Sequence, residues 1–130
     1  MLFVLGDEIP EPVRPPRPRA ALEPFRTVLV AAEAVALADL TASSAGRTVL
    51  VGGERRPPDA SLAGDALLDD GTAVVPLVLG SRAPRALRSA LAVRYLLVTG
   101  VVRDVEGTLS IEPSEVADLR AIAREWGSRR

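Results

Sequence analysis

The stretch from Arg94 to Leu119 reads R-Y-L-L-V-T-G-V-V-R-D-V-E-G-T-L-S-I-E-P-S-E-V-A-D-L, and it is the clearest hairpin in the chain. Two apolar, β-branched runs flank Glu106-Gly107, an acid–glycine pair typical of a tight two-residue turn. Pro113 ends the second run, because proline donates no hydrogen bond to a strand ladder. We therefore predict two antiparallel strands over 94–112 and a helix from about Ser114 to Trp126, with Ser114 near its N-terminal cap.

Further strand signals precede this hairpin. Residues 47–54, R-T-V-L-V-G-G-E, have the β-branched content of a strand, and Gly52-Gly53 indicates a bulge or a sharp bend near its end. Residues 65–79 indicate a second hairpin, turned at Asp70-Gly71 as a two-residue turn that needs positive φ. The chain thus has one strand followed by two hairpins.

Two other segments have helical features. Residues 81–92, S-R-A-P-R-A-L-R-S-A-L-A, predict a helix with Ser81 as a cap and Pro84 in the first turn. Residues 25–40 are ambiguous, because F-R-T-V-L-V favours a strand by β-branching and the alanine-rich run after it favours a helix. We predict a helix over 30–39.

The N-terminal residues 1–24 are predicted to be a flexible Pro-rich tail, and residues 25–130 the folded domain. Six prolines lie between Pro10 and Pro24, and each fixes φ and removes a backbone donor. The apolar residues 27–40 are too short to span a bilayer and contain acids. Since the start also lacks a secretory signal pattern, we expect a cytoplasmic protein with no membrane partner.

The composition disfavours most enzyme classes. The chain has no Cys and no His, which removes thiol nucleophiles, imidazole bases and the usual zinc ligands. Asp69-Asp70 could serve as a metal ligand or as an acid–base pair, but two acids beside Gly71 are typical of a turn. We predict a protein that is not an enzyme, with no metal and no cofactor.

The order of elements is strand, hairpin, short helix, hairpin and C-terminal helix. It predicts a mainly β fold: a small five-stranded OB-like barrel with a helix between strands 3 and 4 and a C-terminal helix. Five strands in a closed barrel leave few unpaired edges.

Residues 38–53, 69–79 and 94–112 also resemble a known family. The pattern is similar to the OB domain near the C-terminus of bacterial replicative and error-prone DNA polymerase α-subunits, in which a Leu-Val-x-Gly-x-Val strand precedes a turn, a strand and a closing Asp-Leu. The matching positions are Leu97, Val98, Gly100, Val102, Gly107 and Asp118-Leu119. The resemblance implies weak binding of single-stranded nucleic acid, or a place in a replication or repair assembly.

OB domains that bind single strands use the face of strands 2–3 and the neighbouring loops. Single-stranded DNA or RNA would need basic side chains there, and the candidates are all arginines. They are Arg55, Arg56, Arg82, Arg85, Arg88, Arg94 and Arg103. Against this hypothesis, residues 65–79 hold no aromatic side chain and no arginine, and they carry three acids.

The alternative is a protein–protein interaction or oligomerisation module that binds no nucleic acid. The strand at 72–79, T-A-V-V-P-L-V-L, is apolar on both faces, so either the chain covers both or a partner covers one. The positive mean hydropathy, +0.21, agrees with apolar surface that a partner protein or a second copy covers. The predicted interface residues are Val74, Pro76 and Val78.

Overall fold

The structure, a computed structural model, describes residues 22–59, 62 and 64–128. The predicted tail lies outside the described residues except for its last three. Of these, Leu22 is buried and belongs to the domain. The elements in chain order are a 3₁₀ helix Glu23–Phe25, α1 (Arg26–Ala31), 3₁₀ helices Leu37–Asp39 and Ala42–Ser44, β1 (Thr48–Arg56), β2 (Ala66–Asp69), β3 (Val74–Leu77), α2 (Arg85–Ala90), β4 (Tyr95–Val105), β5 (Thr108–Asp118) and α3 (Leu119–Ser128).

The five strands close into a barrel in the order β1-β2-β3-β5-β4, with β4 returning to β1. All neighbours are antiparallel except β3 and β5, which are parallel and pair only at Leu77 and Ile111. α2 lies between β3 and β4 along the chain, and α3 follows β5. The predicted fold, a mainly β OB-like barrel with these two helices, is confirmed.

The hairpin that joins β4 and β5 is the predicted one. Glu106 and Gly107 have φ of 53° and 86°, so both central residues are left-handed as a type I′ turn requires. The strand then runs five residues beyond Pro113, so the helix start predicted at Ser114 is wrong. The register between Thr99 and Gly100 shifts by one residue, and the Ser114 hydroxyl donates to the Thr99 carbonyl at 3.2 Å. This bulge absorbs one residue, and pairing with β4 resumes.

The last helix therefore begins later, at Leu119. The Asp118 carboxylate accepts the Arg120 N–H at 2.9 Å, which is the bond expected of an N-cap aspartate. No helix among the described residues is long and apolar enough to cross a bilayer.

The first helix also differs from the prediction. The helix lies at Arg26–Ala31, in the β-branched run, and the predicted helix over 30–39 is wrong except for its two ends. Glu33 has φ of 59°, and the next amide, that of Ala34, bonds the Leu29 carbonyl at 3.0 Å. This left-handed end stops the helix. The amide of Val35 then bonds the Leu50 carbonyl in β1, at 2.9 Å.

The helix predicted over 81–92 is shorter, Arg85–Ala90. Pro84 stands at its N-cap, with an extended ψ of 154°, and Ser81 and Arg82 precede the helix. Proline lacks an amide hydrogen, so the start of the helix needs no partner there.

The turn between β2 and β3 has four residues, Asp70 to Ala73, where a two-residue turn was predicted. Only Gly71 is left-handed, with φ of 89°. The Asp70 carboxylate accepts the amides of Thr72 and Ala73, and Asp69 accepts that of Gly71. Both acids thus act as turn formers.

Two apolar clusters hold the domain together. The larger fills the barrel and includes Val51, Leu68, Leu96 and Ile111, all fully buried. The second packs α1 and α3 on the outside of β4, with Phe25 and Tyr95 in contact at 5.1 Å between ring centroids. The aromatic rings thus serve the outer helices and not the strand 2–3 face.

The strand with which β1 pairs changes from β4 to β2 just after its two glycines. It pairs with β4 from Thr48 to Glu54 without a shift in register, and with β2 from Glu54 to Arg56. A Cβ on Gly53 would lie 2.8 Å from the Asp69 carbonyl oxygen, whereas one on Gly52 would meet the end of the Leu29 side chain. The two glycines therefore permit close contacts, and the bulge predicted at this pair is not present in the pairing with β4.

These contacts give a matched pair of substitutions. Gly53→Ala should destabilise the fold by about 2 kcal/mol, because the methyl group meets backbone that cannot move without breaking the β1–β2 ladder. Gly52→Ala should cost less, about 1 kcal/mol or under, because a leucine tip can rotate away. Urea unfolding of both variants measures the difference, and equal losses would contradict this account.

Candidate binding surfaces

The seven arginines predicted to bind nucleic acid do not form one site. Three of them make ion pairs with acids of the same chain: Arg56, Arg94 and Arg103. The other four make none with the described residues. They are Arg55, Arg82, Arg85 and Arg88.

Two of the paired arginines meet at Glu54 and Asp69, which are direct cross-strand partners on β1 and β2. The Arg56 Nε lies 2.7 Å from Asp69 Oδ2, and a second Arg56 nitrogen lies 3.9 Å from Glu54. The Arg94 Nε lies 3.1 Å from the other Glu54 oxygen. Both carboxylates are mostly buried, at 16% and 12% exposed side chain, so these charges are neutralised within the chain.

The third pair lies on the β4–β5 hairpin. Arg103 donates from two nitrogens to one Glu112 oxygen, at 2.9 and 3.1 Å. Both side chains are substantially exposed, so the pair contributes little to stability. It nevertheless occupies the guanidinium that was predicted to contact phosphate.

The barrel offers no open aromatic platform among the described residues. Phe25 and Tyr95 are buried, and Trp126 is half-buried against the same cluster. The guanidinium groups of Arg94 and Arg120 each lie 5.2 Å from the Tyr95 ring centroid, so cations occupy its surroundings. Base stacking at Tyr95 would require this arrangement to open.

The outer surface of β2 and β3, which we call the β2–β3 face, is mainly apolar. Val74 and Pro76 lie on β3 and Val78 directly follows it, and their alternation places all three on this face. Val74 and Val78 are 37% and 38% exposed. Pro76 is buried, because Gly64 of the β1–β2 connection packs against its ring, with an ideal Gly64 Cβ only 3.1 Å from the Pro76 Cβ. Pro76 therefore offers a partner little surface, unlike the valines on either side.

Pro76 also explains the weak closure of the barrel beside it. Val78 donates to the Ile111 carbonyl on β5 at 2.9 Å, and alternate residues of a strand point their amides to the same side. The missing amide of Pro76 thus falls on the β5 side, where pairing is limited to one residue pair.

The unpaired arginines gather around α2. Arg55 and Arg88 line one pocket of about 230 Å³ at the α2 end of the barrel, together with Asp65 and Leu91. Arg82 lines a neighbouring pocket that includes Glu112, the partner of Arg103. Arg85 lies on α2 and is exposed.

A further groove, about 300 Å³, lies between α1 and β1 and was not predicted. Leu29, Val30 and Val35 line it, and Val30 is 69% exposed. The β-branched run left residues 25–40 ambiguous between strand and helix, so the sequence did not indicate a groove that α1 lines.

Comparisons with known proteins concern the fold. No family model matches the chain, and no curated protein does. Among solved structures, the chain is similar to OBody AM1L10 bound to hen egg-white lysozyme, with a TM-score of 0.50 and 24% identity over 63% of this chain and 87% of the OBody chain. The fold is thus that of an OB-type barrel, and at this identity the likeness shows the fold alone.

The mostly buried ion pair and the exposed ion pair should contribute differently to the free energy of unfolding. Asp69→Asn should destabilise the protein by about 2 kcal/mol, because it weakens a mostly buried charge-assisted bond to Arg56. Glu112→Gln, in the exposed pair with Arg103, should cost about 0.5 kcal/mol or less. Urea unfolding of the two variants checks this, and a larger loss for Glu112→Gln would be inconsistent with the burial difference.

Proposed function

We propose that the protein is an OB-fold binding module that holds a partner protein on its β2–β3 face. One observation carries the proposal. The arginines beside this face, Arg56 and Arg94, are neutralised by Asp69 and Glu54 of the same chain, while the exposed residues of the face are Val74 and Val78. The face thus offers apolar surface with a charge-balanced border.

A single-stranded nucleic acid would gain little on this face. Stacking contributes about 1–3 kcal/mol per base in OB domains that use aromatic platforms, and no described aromatic ring is exposed here. A phosphate could reach the outer nitrogens of Arg56 and Arg94, which contact the carboxylates mainly through Nε. Glu54 and Asp69 nevertheless balance these two charges already, and they lie close enough to repel the incoming phosphate.

A protein partner suits the same features. Interfaces commonly combine an apolar centre with a polar rim, and internally paired charges can stay in place at such a rim. The OBody of the solved neighbour was bound to a protein, lysozyme, so a barrel of this type is compatible with this kind of ligand. For the present chain, the support comes from its own residues.

The experiment uses the full chain with a photo-crosslinking amino acid at Val78, and the same amino acid at Val105 as control. Val105 is 63% exposed but lies at the end of β4, away from β3. Size-exclusion chromatography with light scattering first decides whether the partner is a second copy. A clean monomer with no product specific to Val78 would reject the proposal.

The captured partner then allows a quantitative prediction. Val74→Asp and Val78→Asp should each weaken binding at least about tenfold, because a carboxylate desolvated at an apolar contact is costly. Val105→Asp should bind as the unmodified chain does. Circular dichroism and urea unfolding verify that all three variants fold. Equal affinity of the Val78 and Val105 variants would contradict this surface.

A second function, weak binding of single-stranded nucleic acid, has one observation in its favour. Arg82, Arg85 and Arg88 around α2 have no acidic partner among the described residues. This agrees with the polymerase resemblance and with a role in a replication or repair assembly. Contacts to phosphate alone give affinity that falls steeply with salt.

Fluorescence anisotropy with a labelled oligothymidylate tests this second function. The triple variant Arg82→Gln/Arg85→Gln/Arg88→Gln should reduce binding at low salt at least about tenfold. It should also lower the salt dependence, since counterion release scales with the number of phosphates that the arginines neutralise. Arg103→Gln, whose guanidinium is held by Glu112, is the control and should change little. No binding of the unmodified chain at low salt would exclude the function.

A further inference from the structure

We propose that the pocket between Arg55 and Arg88 binds a single carboxylate group. This pocket is separate from the two valines of the β2–β3 face, and the proposal does not depend on the function proposed above. It follows from a buried donor without an acceptor, from the charges that surround it and from the size of the space.

Arg55 lies on the inner face of β1, at the end of the barrel. It is paired with Leu68, whose side chain is fully buried in the barrel core, and its own amide donates to the Arg94 carbonyl at 2.7 Å. Its guanidinium Nε is shielded from solvent and has no hydrogen-bond partner among the described residues. A buried donor without an acceptor is unfavourable, and a turn of the side chain towards the pocket would let a bound oxyanion accept from this nitrogen.

Arg88 supplies the second positive charge. It lies on α2, lines the same pocket and has no acidic partner among the described residues. Leu79, Leu91 and Ala92 complete the walls. Two guanidinium groups therefore line one small pocket that is open to solvent.

The charge balance favours a monoanion. Asp65 also lines the pocket, and one of its oxygens accepts the Leu79 amide at 2.8 Å, so its carboxylate is held in the wall. Two guanidinium groups and one carboxylate leave a net charge of about +1. A carboxylate neutralises this charge, whereas a phosphate dianion would face Asp65 with an excess negative charge.

The size of the pocket also favours a carboxylate as the ligand. At about 230 Å³ it lies below the range of about 300–1,000 Å³ typical of sites for drug-sized molecules. It can take one small planar group, and the guanidinium fork matches a carboxylate in geometry. The carboxylate can belong to a small free acid or to an acidic side chain of a polypeptide.

NMR titration of the ¹⁵N-labelled full chain tests the proposal, with ionic strength held constant by sodium chloride. The probes are acetate for a free acid, N-acetylglutamate amide for a side chain and inorganic phosphate for the competing class. We expect saturable shifts of the Arg55 Nε–Hε signal and of the Leu79, Leu91 and Ala92 amides with the carboxylates. Tighter binding of N-acetylglutamate amide would identify an acidic side chain of a polypeptide as the source of the carboxylate. Binding of acetate that is as tight or tighter would identify a small free acid.

Arg88→Gln should weaken carboxylate binding about tenfold, because it removes a charge-assisted hydrogen bond. The matched control is Arg85→Gln, which removes the same charge from the same helix at a position that does not line the pocket. Arg88 is exposed, so its variant should fold normally. Non-saturable shifts, tighter binding of phosphate than of acetate, or equal weakening by both variants would each overturn the proposal.

Discussion

The close approach of β1 to β2 at Gly53 is the contact on which the rest of the barrel depends. β1 must leave β4 and reach β2 within one strand, and a side chain at Gly53 would collide with the Asp69 backbone. The same approach sets Glu54 directly opposite Asp69. Closure of the barrel therefore also brings two carboxylates together on its outer surface, where Arg56 and Arg94 neutralise them.

This coupling between closure and charge determines what the surface can bind. An arginine paired with a mostly buried carboxylate keeps outer nitrogens that can reach a phosphate, but its charge is already balanced and the nearby carboxylate repels the ligand. The sixteen basic residues of the chain thus overstate its capacity for anions. Apolar side chains meet no such competition, so the exposed third of each valine on the β2–β3 face stays accessible.

Local signals predicted the elements that depend on local chemistry. The Glu106-Gly107 turn follows from backbone preference, and the order of strands and helices predicted the barrel. The wrong predictions lie where contacts between residues far apart in the sequence determine the local structure. A bulge opposite Thr99 carries β5 past Pro113, and packing of Phe25 and Val28 makes a helix of a β-branched run. The pairing of Arg94 with Glu54, forty residues apart, could not be read from either segment.

The neighbouring residues Arg55 and Arg56 show why a basic dipeptide is a poor predictor of a binding site in a barrel. Successive side chains of a strand point to opposite faces of the sheet. Two adjacent arginines that look like one positive patch in the sequence therefore lie on opposite sides of the barrel wall. Arg56 turns outwards and lies 2.7 Å from Asp69, while Arg55 turns inwards and has a buried Nε that finds no acceptor in the part of the chain that the structure describes. The charge of the less exposed residue thus has no acidic partner among the described residues, whereas Asp69 balances the charge of the more accessible one.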